Sequence, residues 1–191
     1  MKRFLKINGL ILGLSIAGLV ISCNAEDMVE ESELIKVSNA TAISPNDMVG
    51  QWDLSQMIAD APVDLDGDDQ SSTNLLDETS CFNTMNITFF NDGTFNTNNA
   101  TMSFEEGAGN NEFSCISSRM DGGDWEVRND SLILTMMIDT YMYTHKKAIN
   151  MQANTFGFDV TKIESDQYVD DPGNTQASEI RILELGYTRA E

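Results

Sequence analysis

Histidine is nearly missing from this 191-residue sequence, in which His145 stands alone. Zinc sites draw on several His or Cys ligands, so one histidine and three cysteines (Cys23, Cys81, Cys115) leave such a site starved. A Ser-His-Asp catalyst would have to use His145, yet no G-x-S-x-G elbow stands in the chain to pair with it. Basic residues are scarce too, 11 against 31 acidic, for a formal net charge of −20. Phosphate neutralisation needs clustered Lys and Arg, which argues against nucleic acid and anionic lipid headgroups as partners. No segment carries a helical stripe of any length, which argues against a bundle of helices. No apolar run is long enough to span a bilayer, since the best of them, Leu10 to Ile21, falls short of the roughly 20 residues required.

What is present is strand and turn. From Cys81 to Thr135 the chain alternates short β-prone runs with tight polar turns, and this stretch reads as an antiparallel meander. Met85, Ile87 and Phe89 alternate with polar neighbours, Asn91-Asp92-Gly93 supplies the Asp-Gly pair of a hairpin turn, and Phe95 resumes beyond it. The spacing predicts a first strand over 48–58, a loop over about 60–73 and a single helical turn over 75–80. Further strands are predicted near 84–91, 94–104, 112–119, 123–128, 131–139, 141–151, 154–163 and 179–189. Turn signals separate nearly all of them, among them Asp121-Gly122-Gly123, Arg128-Asn129-Asp130 and Asp171-Pro172-Gly173-Asn174. This pattern predicts an all-β fold, either an antiparallel up-and-down barrel of about eight strands or a two-sheet sandwich. The barrel is preferred because closure removes exposed edges.

The N-terminus is read separately. Lys2, Arg3 and Lys6 precede the apolar run, in the manner of a signal peptide over residues 1–22. Val20-Ile21-Ser22-Cys23 then resembles the lipobox of bacterial lipoproteins. That resemblance implies that Cys23 becomes the first mature residue, is acylated (palmitate among its chains) and anchors the protein to a membrane without a spanning helix. Several acyl chains at about 0.8 kcal/mol per buried methylene suffice for this. Lys2, Arg3 and Lys6 account for three of the basic residues, so the mature chain would keep 8 against 31 acidic ones, a net −23. Residues 23–46 read as a lipidated cysteine and an acidic flexible tether. Glu26-Asp27 and Glu30-Glu31 are similar to the acid-rich export signal of some Gram-negative surface lipoproteins, or serve as a mere spacer. With Cys23 assigned to lipid, Cys81 and Cys115 remain. An even number in an exported chain is read as a bridge, the alternative being two free buried thiols.

Residues 47–191 suit one domain. Gly50-Gln51-Trp52 on the first strand resembles the G-x-W signature of lipocalins. The order Cys81, Phe90-Asn91-Asp92-Gly93-Thr94-Phe95, Cys115, Gly123-Asp124-Trp125 and Asn129-Asp130-Ser131-Leu132 is similar to the lipocalin-like domains of Gram-negative surface lipoproteins. The resemblance implies a barrel plugged at one end by Trp52, with Arg181 or Arg189 packed on the indole. It also implies an address at the outer membrane, where the chain would sit lipid-anchored and exposed at the cell surface.

Two constellations bear on chemistry. In Asp64-Leu65-Asp66-Gly67-Asp68-Asp69-Gln70, carboxylates at 64, 66 and 68 match alternate positions of an oxygen-rich calcium loop, with the Gln70 carbonyl next and Glu78 closing the set. The competing reading is a solvated acidic loop. A cavity would be lined by Trp52, Phe89, Phe95, Trp125, Met136, Tyr141, Tyr143, His145, Phe156 and Phe158, and ordinary core packing would need the same residues. Gly107-Ala108-Gly109 begins like a dinucleotide fingerprint but lacks the third glycine and the helix, so it is read as a hairpin loop. The expectation is a monomeric, non-enzymatic module holding a small apolar or amphipathic ligand. It requires no cofactor, with calcium the one candidate. The alternative is an interaction lipoprotein with a filled barrel and a calcium-stabilised loop.

Overall fold

The computed structural model describes residues 43–138, 140–173, 175 and 180–191. The expected signal peptide, Cys23 and tether residues 24–42 lie outside the described residues. Among the described residues no helix is long and apolar enough to cross a membrane. Helix α1 (Pro45–Met48) opens on a reciprocal capping box in which the Ser44 N–H donates to Asp47 Oδ2 at 2.9 Å. The elements then follow as β1 (Gly50–Val63), β2 (Ser72–Asn74), α2 (Leu75–Glu78), β3 (Asn86–Phe89), β4 (Thr94–Phe104), β5 (Phe113–Arg128) and β6 (Ser131–Ile138). After them come β7 (Tyr141–Ala148), β8 (Asn150–Gln152), β9 (Thr155–Asp159), α3 (Lys162–Ser165), β10 (Val169–Asp170) and β11 (Ile182–Arg189).

The main strands form one curled, barrel-like antiparallel sheet in the order β7-β6-β5-β4-β3-β1-β11-β9-β8, as an all-β reading expects. Short β2 lies on β1, and β10 pairs in parallel with β4. The strands β7 and β8 are one run of chain interrupted at Ile149. The first part pairs with β6 and the last part with β9, so the same segment borders both ends of the sheet. This brings the edges together without a continuous ladder between β7 and β9.

Inward residues alternate with outward ones, and those facing in make the core. Trp52, Met57, Phe82, Phe89, Phe95, Leu132, Phe156, Ile182 and Leu185 are all buried. Each such side chain contributes about 1.5–3 kcal/mol by leaving water. One end of the curl is plugged by Trp52, whose Nε1–H donates to Met48 O at 2.6 Å. Of the two arginines considered for the indole, Arg189 is the one that covers it, with its guanidinium carbon 4.1 Å from the ring centre. Arg189 also donates to the Val49 carbonyl at 2.7 Å and to the Asp47 carbonyl. Strand β11 is thereby tied to the turn that starts β1.

The Cys81–Cys115 bridge is present, with α-carbons 5.5 Å apart. It ties the turn after α2 to the start of β5. Closing a loop of 34 residues in sequence separation stabilises the fold by about 3–4 kcal/mol on chain-entropy grounds. The hairpin at Asn129-Asp130 also forms as expected, both residues taking the left-handed conformation that a two-residue turn requires.

Several predicted boundaries are corrected. The first strand starts at Gly50, after α1, and runs on to Val63. Thr161 and Glu164 form a capping box that ends the predicted 154–163 strand and starts α3. Asp121-Gly122-Gly123 is no turn: β5 passes straight through it, joining the predicted strands 112–119 and 123–128. A Cβ on Gly123 would lie 2.1 Å from the Thr135 carbonyl oxygen, and one on Gly122 would lie 2.9 Å from the Phe95 carbonyl oxygen. The two glycines are there for close backbone approach within the sheet. Gly123→Ala is therefore expected to destabilise the domain by about 2–3 kcal/mol or more. The check is the urea midpoint of the variant beside that of the parent, and an unchanged midpoint would contradict this account.

Candidate functional site

Inside the curl of the sheet lies a cavity of about 120 Å³, set among β3, β4, β5, β6, β7, β9, β11 and the segment around α3. Its apolar wall comes from Ile87, Phe95, Leu134, Met136, Phe158 and Val160. Strand period two explains why they converge, since pairs such as Phe95↔Gly123 and Gly123↔Met136 place those positions on the inner face. Aromatic contacts connect this wall to the plugged end. Trp52 meets Phe156 edge-on at 4.9 Å, and Phe156 stacks on Tyr187 at 5.1 Å, itself a lining residue.

The remaining wall is polar and charged. Arg119 and Asp121 follow each other at period two on β5, and Arg119 Nε donates to Asp121 Oδ2 at 3.1 Å. Asn99 Nδ2 donates to the same oxygen at 2.9 Å. His145 and Lys147, two apart on β7, both reach Glu164 on α3. His145 Nδ1 lies 3.2 Å from Glu164 Oε1, and Lys147 Nζ donates to Glu164 Oε2 and to the Asp159 carbonyl at 2.9 Å. Desolvation pushes the Glu164 carboxyl up. The Lys147 hydrogen bond, those from the Thr161 N–H and hydroxyl, and the Lys147 charge outweigh it and hold the group at about 2. Tyr168 and Tyr187 complete the wall. Burial raises the Tyr168 phenol to about 12 and the Tyr187 phenol well above 10, so both stay protonated.

Of the ten expected cavity residues, Phe95, Met136, His145 and Phe158 line this space. Trp52, Phe89, Trp125 and Phe156 instead pack against one another in the core beside it. Tyr141 and Tyr143 stand away from it, 69% and 45% exposed. Tyr141 lies beyond the last β5–β6 pair, Gly123↔Met136, where the β6–β7 hairpin continues to Ile138↔Tyr141, and Tyr143 pairs with Met136 at that limit. Arg119, Asp121, Lys147, Glu164, Tyr168 and Tyr187 were missed. Arg119, Asp121 and Lys147 share strand parity with inward residues, a signal that period two carried. Glu164 and Tyr168 carried none, because they arrive from a helix and a loop.

In the acidic loop, ligand oxygens of Asp64, Asp66 and Glu78 lie within 4.8 Å of one another, and Glu78 is buried. Asp68 is not part of that group. The Gln70 backbone and amide N–H groups both donate to the Asp68 carboxylate. Asp64 accepts from the Gly67 and Asp69 N–H groups, which folds the loop onto itself.

Fold and site together define an all-β, barrel-like domain with a small interior cavity. Residues 30–171 match the family described as a domain of unknown function (DUF5004), and the chain belongs to that family. No curated protein and no solved structure matches the chain.

The Glu164 contacts carry a sign. The folded carboxyl titrates at about 2 against an ordinary 4.5, so its stabilisation is complete above about 4.5 and is lost as pH falls towards 2. At neutral pH, Glu164→Gln is expected to lower stability by about 1–2 kcal/mol after allowance for screening. The gap to the parent should close between pH 4.5 and 2 in urea titrations. A gap that does not vary with pH would contradict the assignment.

Proposed function

We propose that this chain is a lipid-anchored, lipocalin-like binding protein of the cell envelope that holds one small apolar or amphipathic molecule and leaves it chemically unchanged. The observation that carries the reading is the cavity, which joins an apolar wall to a polar one inside the curled sheet. Its size limits the occupant. Drug-sized ligands use about 300–1,000 Å³, whereas an engineered apolar cavity of about 150 Å³ takes benzene. A space of about 120 Å³ suits a single ring or a chain of a few carbons, and a whole lipid does not fit.

The address follows from the sequence. The lipobox-like Val20-Ile21-Ser22-Cys23 supports acylation at Cys23 and attachment to the outer membrane, and the acidic run after it supports the cell surface. On this reading the membrane is a partner through the anchor alone, the protein is a monomer, and its surplus of acidic groups keeps nucleic acid away. Cells fed labelled palmitate should label the parent but not Cys23→Ser, and the label should fractionate with the outer membrane. Native mass spectrometry of protein taken from its own cells should show a retained small molecule. An unlabelled parent would overturn the address, and repeated ligand-free spectra would count against the binding role.

The loop favours a second reading, in which calcium stabilises an interaction surface. Its support is the convergence of Asp64, Asp66 and Glu78. In addition, the Asn110 amide oxygen is buried without a hydrogen-bond partner, and that residue lines the cleft shared by Asp64 and Gly67. Affinity would fall in the extracellular range of about 10⁻⁴–10⁻³ M. Millimolar calcium should then raise the melting temperature of the parent by a few degrees, about 1 kcal/mol of linkage. The rise should vanish in Glu78→Gln, and the same rise with magnesium would count against a specific site.

A further inference from the structure

In this cavity both oxygens of Glu164 are engaged, whereas donors on Arg119, Tyr168 and Tyr187 are spare among the described residues. Glu164 uses both oxygens, Oε1 towards His145 and Oε2 towards Lys147 and Thr161. Asp121 Oδ2 already accepts from Arg119 and Asn99. Arg119, by contrast, commits only Nε, and its two terminal nitrogens have no partner among the described residues. The Tyr187 side chain is only 5% exposed and lines the cavity, yet its hydroxyl makes no hydrogen bond among the described residues. The Tyr168 hydroxyl, on a half-buried side chain, also makes no hydrogen bond among the described residues and is close enough to Arg119, Asp121 and Glu164 to feel their charges. Here the three side chains belong to one wall of one cavity, facing the apolar wall of Phe95, Met136 and Phe158.

We propose that the ligand is a small monocarboxylate with an apolar body of about six carbons, its carboxylate on Arg119, Tyr168 and Tyr187 and its body against the apolar wall. This rests on the cavity being the ligand site. The chemistry favours an anion because the Arg119 guanidinium edge and two phenol hydroxyls on one wall are left to donate. A guanidinium edge and a phenol hydroxyl both donate to a carboxylate, and bonds of that charge-assisted kind are the stronger ones. Both phenols remain protonated at any physiological pH, so they donate rather than repel. An ammonium headgroup would find both oxygens of Glu164 already engaged and would meet Arg119 as a like charge. The size of the space sets the length of the body, as above.

The test is calorimetry on the purified full chain with three probes: benzoate, hexanoate and benzyl alcohol, the last matching benzoate in ring and length but carrying no charge. Benzoate or hexanoate is expected to bind about tenfold or more tightly than benzyl alcohol, the factor that a hydrogen bond to a charged group commands. Whichever of the two binds better tells ring from chain, and either result supports the proposal. Arg119→Gln keeps an N–H for Asp121, and Tyr187→Phe removes one oxygen only. Each should cut the carboxylate preference by about tenfold while benzyl alcohol binding stays within about twofold. Thermal midpoints of the variants confirm that they are folded. Benzyl alcohol binding as tightly as benzoate would overturn the carboxylate assignment and leave the cavity reading intact. Variants that bind benzoate like the parent would overturn the assigned donors. If none of the three probes binds the folded parent, the cavity reading itself fails and this inference falls with it.

Discussion

Glu164 joins two parts of the sheet that never share a ladder. Strand β7 pairs with β6 on one side only, and β9 pairs with β11 and β8, so the curl meets itself across a seam without backbone hydrogen bonds. Lys147 crosses that seam to the Asp159 carbonyl and to Glu164, and His145 adds a second contact to the same carboxylate. The capping box of α3 holds Glu164 in place through Thr161. A seam made of side chains costs desolvation but leaves room behind it. A continuous β7–β9 ladder would bring those strands to within about 5 Å and leave no room there for α3. Carboxylate, ammonium and imidazole satisfy one another at the position where the sheet would otherwise present a bare edge.

The opposite end is closed by packing. Trp52 sits under Arg189, donates to the Met48 carbonyl and leans on Phe156, so α1, β1, β9 and β11 meet on one indole. From there Phe89, Trp125 and Phe156 continue the aromatic packing towards Phe158 and Tyr187. These rings fill most of the interior that eight strands would enclose, and this is why the remaining space is small. The molecule is thus solid at one end and hollow at the other. The cavity and its uncommitted donors lie at the hollow end, and the aromatic packing lies at the solid one.

Outside the sheet, two devices manage long connections. The disulfide draws the turn after α2 onto β5 and restricts the unfolded chain across the segment that carries β3 and β4. The loop over 64–71 is held by Asp64, which accepts two backbone N–H groups, and by Glu78, which accepts from the Leu65 N–H. So many carboxylates in one loop repel unless a cation or water separates them. On a chain of net charge −20 that repulsion extends to the whole surface and keeps neighbouring molecules apart.

The sequence by itself determined the class of structure, because period-two alternation around Ile87 and Phe89 and the turns at Asp92-Gly93 and Asn129-Asp130 are local signals. It pointed to a bridge between Cys81 and Cys115, which the structure contains, and a resemblance to lipocalins singled out Trp52 as a plug. Only the tertiary structure decided how Gly122 and Gly123 are used. A Gly-Gly pair reads as a turn in one dimension, whereas the approach of the Phe95 and Thr135 carbonyls that excludes a Cβ is a property of the assembled sheet. The same holds for the cavity. Aromatics expected to line it, such as Trp52 and Phe156, found each other first, since large apolar rings gain most by mutual burial. Arg119, Lys147, Glu164, Tyr168 and Tyr187 come from strands, a helix and a loop far apart in the chain. Their convergence depends on which faces curl inward and where the seam falls, and neither is written in any single stretch of residues.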